Sequence, residues 1–337
     1  MQPVDTTTAA FVGEHPSRGL GRPVLVRDVR ELKRSFGPAR GHLVTSAQHF
    51  FANGGERLYL LPVAGFEHDP GAAFARLDEL DDFSLLASPG HGSGAVLEAA
   101  SRYCERRADC VFLADSPADA GPAEIRSLVE GLGERSSYAA LYVPWLNPDA
   151  PVPASGFVAG VLASNPVWHV PPSTVLRGAT ALAPSLSGSD RDSLAALGVN
   201  ALRASRTGGV ALGSAQTLAP PAEPEWKYVS IRRLFIFLEQ SIDKGIQWAV
   251  FEPNAEPLWA KLRRSIGAFL ETQWRVGAFQ GTVADEAFFV RCDRTTMTQN
   301  DIDNGRLIVV VGVAPLRPAE FVILRFGLKA GRDDPDP

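Results

Sequence analysis

The stretch LLASPGHGSGAVL, positions 85–97, joins an apolar run, Leu85-Leu86-Ala87, to the glycine turn Gly90-His91-Gly92-Ser93-Gly94. A helical pattern follows. Strand, glycine turn and helix start together build a phosphate cradle, because free N–H groups at the helix N-terminus converge on an anion. A dinucleotide fingerprint requires GxGxxG, with an acidic residue about twenty positions on. Here the spacing is GxGxG with Ala95 following, and no GxxxxGK[ST] occurs anywhere in the chain. Two readings stay open at this point: a nucleotide-binding enzyme using Gly90–Gly94, or a turn without a ligand.

The other candidates are weaker. NDIDNG, positions 300–305, resembles the start of a calcium loop, but Gly305 comes one position early. The twelfth residue from Asp301 is Gly312 where a bidentate Glu is needed, so a polar hairpin turn is expected. His15, His42, His49, His68, His91 and His169 show no ligand spacing with one another, with Cys or with Glu, and GxSxG is absent. Asp78, Glu79, Asp81 and Asp82 form an acidic run that reads as a solvated face. Lys261, Arg263 and Arg264 make one basic helix edge, suited to docking an acidic partner. No catalytic, cofactor-binding or metal-ligating set is assigned.

Composition agrees with a protein of roughly two domains: 337 residues, 45% hydrophobic, mean hydropathy −0.02. A net charge of −5 provides no field for nucleic acid or anionic membranes. No run of eighteen apolar residues exists, so membrane insertion is not expected, and the N-terminus lacks a basic and apolar leader. Cys104, Cys110 and Cys292 are odd in number and read as reduced thiols of a protein made in the cytoplasm.

The elements that must position these residues are legible from periodicity. AAFVG (9–13), PVLVRD (23–28), ERLYLLPV (56–63), FSLLASP, CVFLADSP and YAALYVPWL read as strands, several of them continuously apolar. Helical patterns at 29–37, 43–55, AVLEAASRYCERRA and PAEIRSLVEGLG alternate with them, which predicts an α/β fold with a parallel sheet covered on both faces. Positions 147–225 are rich in Pro, Gly, Ser and Ala and read as an irregular connection. VSIRRLFIFLEQSIDKG reads as an amphipathic helix capped by Gly245. Ile231, Leu234, Phe235, Leu238 and Ile242 form its stripe, and Arg232, Arg233, Glu239 and Lys244 lie off it. QWAVFEP reads as a strand. Asn254 then caps a helix with Pro257 in its first turn and Trp259, Leu262, Ile266, Phe269, Leu270 and Trp274 inside. EAFFVRCD, RLIVVVGVAP and AEFVILRFG read as closing strands, followed by a frayed acidic tail. The expected division is 1–20 for a short arm and first strand, 21–225 for a central α/β domain, 226–328 for a C-terminal domain, and 319–337 for an arm and tail.

The words in the C-terminal third carry a resemblance. Arg232-Arg233-Leu234, Phe251-Glu252-Pro253-Asn254, Leu258-Trp259, Cys292-Asp293, Gly312-Val313-Ala314-Pro315 and Pro318-Ala319-Glu320-Phe321-Val322 occur in the order found in contractile tail sheath proteins of phages and phage-tail-like injection systems. TTTAAFVG, FFANGGERLYLLPV, DDFSLLASPG and PASGFVAGVLA resemble the rest of that family, over nearly all of 6–328. The resemblance implies mixed and parallel sheets flanked by helices, with an extended C-terminal arm. It implies a structural subunit, not an enzyme, that polymerises helically around an inner tube and contracts on stored conformational energy without ATP. Implied partners are further copies of the chain, the inner tube protein, and baseplate and terminator or cap proteins; a non-polymerising cap is the alternative. Assembled particles are the implied location. Phe321, Val322, Ile323, Leu324, Arg325 and Phe326 would add a strand to a neighbour, Lys261, Arg263 and Arg264 would face the tube, and Gly90–Gly94 would be a surface turn. Family members usually open with a longer arm than the MQPVDTTT that precedes the first strand here.

Overall fold

The computed structural model describes residues 1–15, 21–38, 40–169 and 174–316, and the backbone of 322–329. The chain forms two compact units, Asp5–Ile236 and a smaller one that groups Met1–Val4 with Phe237 onward.

In the larger unit β1 (Thr8–Gly13), β2 (Val24–Val26), α1 (Val29–Phe36), α2 (Gly41–Ala52), β3 (Arg57–Pro62), α3 (Pro70–Ala75), β4 (Leu85–Ala87), α4 (Gly94–Arg107), β5 (Val111–Asp115), α5 (Pro122–Glu130) and β6 (Ala139–Val143) follow one another. The 147–225 connection is short-segmented, as its composition requires. Around and within it lie β7 (Trp145–Leu146), α6 (Ser155–Ala163), β8 (Leu182–Ala183), α7 (Gly188–Ala195), β9 (Asn200–Ala201), β10 (Arg203–Ala204) and β11 (Val210–Ala211). Seven strands make one sheet in the order β2-β3-β1-β4-β5-β6-β9. All its pairs are parallel except the β2 edge, which runs antiparallel to β3.

Alternation along each strand divides the core. Ala9, Phe11, Leu113, Ala140 and Tyr142 face a layer built by α1, α2 and α6. Ala10, Val12, Phe112, Leu141 and Val143 face a layer built by α3, α4, α5 and α7. Both faces are dry, so the strands read as continuous apolar runs instead of alternating ones. Local signals set the helix ends. Asp28 accepts from Glu31 N–H to cap α1, and Ser93 accepts from Val96 N–H to cap α4. Helices α2 and α6 pack unusually close: a Cβ added at Gly160 would sit 2.4 Å from the Phe50 carbonyl oxygen.

Helix α8 (Val229–Ile246) crosses the division between the units, which falls after Ile236, past the boundary expected at 226. In the smaller unit α9 (Glu256–Arg275), α10 (Ala284–Ala287), β12 (Phe288–Arg291), α11 (Gln299–Asp303), β13 (Arg306–Val313) and β14 (Val322–Lys329) complete the chain. Their strands form an antiparallel sheet, β12-β13-β14, with β14 in register with β13 from Arg306↔Lys329 to Val313↔Val322.

Three expectations are corrected here. QWAVFEP is not a strand: Gln247–Phe251 is a 3₁₀ turn continuing directly from α8, with Phe251 91% exposed. Short apolar runs carry no period that separates strand from helix. Gly245 does not end α8, which runs one residue further. Asn254 does not cap α9; its Oδ1 accepts from Trp259 Nε1 at 2.8 Å, and Ala255 takes the cap position.

Gly160→Ala is expected to wedge α2 from α6 and lower unfolding stability by about 1–3 kcal/mol. Chemical denaturation, with an unchanged m-value, checks this.

Candidate functional site

The glycine loop lies at the carboxyl ends of β4 and β5, beside β1, where successive connections turn to opposite sides of the sheet. Open parallel sheets commonly bind ligands in that crevice. Here the chain's own side chains fill it. Asp115, at the end of β5, is buried and accepts from Ser155 N–H at 2.8 Å and Ser155 Oγ at 2.6 Å. It also accepts from the backbone N–H groups of Gly90 and Ala154. A carboxylate from the chain thus occupies the anion's place at the start of α6, and the same group holds the glycine loop. Gly90 has φ +87°, and a Cβ at Gly92 would meet the Ser116 carbonyl carbon at 2.2 Å. The His91 ring packs edge-on against Phe66 at 4.7 Å, with Nδ1 3.0 Å from Glu67 Oε1. His42 stands against Trp145 at 4.9 Å, and burial holds its pKa low. The glycines are therefore explained by tight packing. Neither a phosphate cradle nor an open surface turn describes Gly90–Gly94, since Gly92 is buried and its neighbours half-buried.

The acids of NDIDNG are likewise engaged in local structure. Thr298 caps α11, Asp301 accepts from Thr298 N–H and Oγ and from Arg306 Nε, and Asp303 accepts from Gln299. The expected hairpin turn is thus a short capped helix. Among the described residues no group of three or more His, Cys, Asp or Glu side chains gathers as a metal site. The acidic run at 78–82 is partly ion-paired: Asp78 with Arg106, and Asp82 with Arg57 at 2.6 Å.

Helix α8 holds what periodicity missed. Arg232 and Arg233, placed off the apolar stripe by sequence, are 6% and 2% exposed. The Arg232 guanidinium lies 3.6 Å from the Trp226 ring centroid and 4.3 Å from that of Tyr138, and donates to Ser137 Oγ. Arg233 donates to the Leu162 and Thr6 carbonyls at 2.9 and 3.1 Å. Burial lowers its pKa to about 10. Two adjacent arginines buried with carbonyl, hydroxyl and aromatic partners leave no spacing signal, because all of those partners except Trp226 are remote in sequence.

In the smaller unit the basic edge of α9 divides. Lys261 lies 3.5 Å from Glu252 and 3.9 Å from the Trp248 ring centroid. Arg263 pairs with Glu256 at 2.7 Å and donates to the Cys292 carbonyl. Arg264 is exposed. The three therefore do not act as one open patch. Leu307, Val309, Val311 and Val313 of β13 are buried, while Ile308 and Val310, half-buried on its other face, line a cavity of about 270 Å³ with Arg291, Thr295 and Thr296. β12 pairs only with Val310–Val313. Of the strand-addition residues, Val322–Phe326 lie in β14, paired with β13 of the same chain, and Phe321 lies outside the described residues.

The family model of the phage tail sheath C-terminal domain matches residues 222–329. A chain in the contracted sheath complex of an extracellular contractile injection system, PVC, is 27% identical, with TM-score 0.83 over 96% of this chain and 92% of that one. The whole length of the chain is thus similar to contractile sheath proteins. The same likeness extends to a chain of the anti-feeding prophage baseplate, 27% identical with TM-score 0.80, covering 99% of this chain and 96% of the other. A sheath tail protein of Desulfitobacterium hafniense shares the fold at 11% identity, with TM-score 0.74 over 98% of each chain. No curated protein sequence matches. The segment matched by the family model holds α8, α9 and the three strands β12, β13 and β14. Among the described residues no helix is long and apolar enough to cross a membrane.

The Asp115 clamp has a pH signature. Burial pushes its pKa up to about 7, while the four donors act the other way. The native carboxyl then binds a proton that the unfolded one, near 3.9, releases earlier. Stability from this group is full below about pH 4 and is lost as pH rises toward 7, on the order of 4 kcal/mol in all. Urea unfolding of wild type and Asp115→Asn between pH 4 and 7 should show the steeper fall in wild type.

Proposed function

We propose that this chain is the sheath subunit of a contractile injection particle, in which many copies wind helically around an inner tube and drive it forward by contracting. The observation that carries this reading is whole-length likeness, 96% of this chain at TM-score 0.83, to a sheath in its contracted state. The resemblance across nearly all of 6–328 supports the same reading. The chemistry is mechanical. The larger unit, with a sheet buried on both faces, is suited to move as a rigid body. The energy resides in how copies pack, with no nucleotide required.

Linkage between copies is assigned to the three-stranded sheet. A backbone ladder stays intact while flanking loops bend, so strand addition tolerates large rotation of neighbours. β12 is short, and the edges of β12 and β14 are where a neighbour's strand would add or exchange, with Phe321–Phe326 as the donated segment. The tube-facing reading of α9 rests chiefly on Arg264, since Glu252 and Glu256 already balance Lys261 and Arg263.

Negative-stain electron microscopy of the chain co-expressed with its tube protein is expected to show striated cylinders; monomers alone would overturn the sheath reading. Leu324→Pro, which removes a backbone N–H from β14, should abolish cylinders while leaving the larger unit folded, because β14 belongs only to the smaller unit. Arg264→Glu should reduce the tube-filled fraction of cylinders. Lys261→Glu and Arg263→Glu should instead register in the melting temperature, since each places two carboxylates together.

A further inference from the structure

Cys104 and Cys110 lie outside every surface considered above. Cys104 is in the last turn of α4, and Cys110 immediately precedes β5. Both are fully buried, and Cys110 Sγ donates to Cys104 Sγ at 3.5 Å. The approach is imposed by the corner between helix and strand. Ala108 takes the left-handed conformation, φ +55°, with its N–H on the Cys104 carbonyl at 2.8 Å, and reverses the chain. Arg107 then locks the corner through Asp109, at 2.6 and 2.9 Å, and through the Leu77 and Leu80 carbonyls. The two sulfurs are thus held face to face on a clamped five-residue connection, Glu105–Asp109. The third cysteine, Cys292, belongs to the other unit.

We propose that Cys104 and Cys110 are a latent disulfide, closed by a small two-electron oxidant of the peroxide class. One thiol loses its proton and attacks the peroxide, giving a sulfenic acid and water. The second sulfur displaces the hydroxyl, forming the S–S bond and a second water. Two thiols and one hydrogen peroxide thus become one disulfide and two waters. The pair is slow in the closed protein, because burial raises the Cys110 thiol and keeps it protonated. Transient opening of the last turn of α4 admits the oxidant, and proximity makes the second step intramolecular. The bond would staple α4 to β5. A particle assembled in a reducing compartment and working outside it would gain this staple after release. The chemistry itself stands independently of the assembly reading.

The test treats the full-length native protein with dilute hydrogen peroxide, then removes the peroxide, unfolds the chain and alkylates it. The expected product lacks two hydrogens, carries a single alkyl group on Cys292, and yields a peptide linking Cys104 to Cys110. Cys110→Ala should give no such linkage and should leave Cys104 alkylated or oxidised alone. If that variant fails to fold, peptide mapping of wild type decides. Three alkylated cysteines, at peroxide levels that oxidise the urea-unfolded chain, would overturn the proposal. So would oxidation that instead couples Cys292 between molecules.

Discussion

Exclusion of water from both faces of one parallel sheet governs the larger unit. β1, β4, β5 and β6 have every described residue buried, so the backbone can only be satisfied by its neighbours in the ladder. Each face then demands helices, and helices need connections that return over the sheet. The close approach of α2 and α6, made possible at Gly156 and Gly160, follows from that demand. So does the reach of the glycine loop onto the end of β5.

A dry interior makes each enclosed polar group a decisive contact. Asp115 gathers donors from the glycine loop and the start of α6, and so fills the crevice that an open parallel sheet leaves at its carboxyl edge. Arg233 turns its donors on the carbonyls of Leu162 and Thr6, tying α8 to the end of α6 and to the approach of β1. Arg232 lies between two rings, where cation–π attraction replaces part of its lost hydration. These groups specify how segments remote in sequence meet.

The smaller unit follows a different logic. Its sheet is antiparallel, with one face covered and one half-open, and its central strand alternates accordingly. Lys261, Arg263 and Arg275 of α9 are in local pairs, worth little individually at an exposed surface.

Much was determined by the sequence alone. Uninterrupted apolar runs marked the parallel strands, 3.6-residue periods marked the helices between them, and the ordered words of the C-terminal third marked the likeness to a sheath C-terminal domain. These are local or short-range signals, carried by residues whose environment follows from their own pattern. The tertiary structure decided the rest. Arg232 and Arg233 sit off the apolar stripe of α8, yet they are buried, because partners more than seventy residues away reach them. Lys261 and Arg263 looked like a free basic edge, but the turn before α9 places Glu252 beside Lys261, and Arg263 reaches back along the helix to Glu256. QWAVFEP, too short to carry a period, holds a 3₁₀ turn at Gln247–Phe251 that continues directly from α8. The glycine loop kept its ligand-binding spelling while Asp115 took the anion's place. A spacing shows which groups a segment offers, but only the fold determines which partner arrives first.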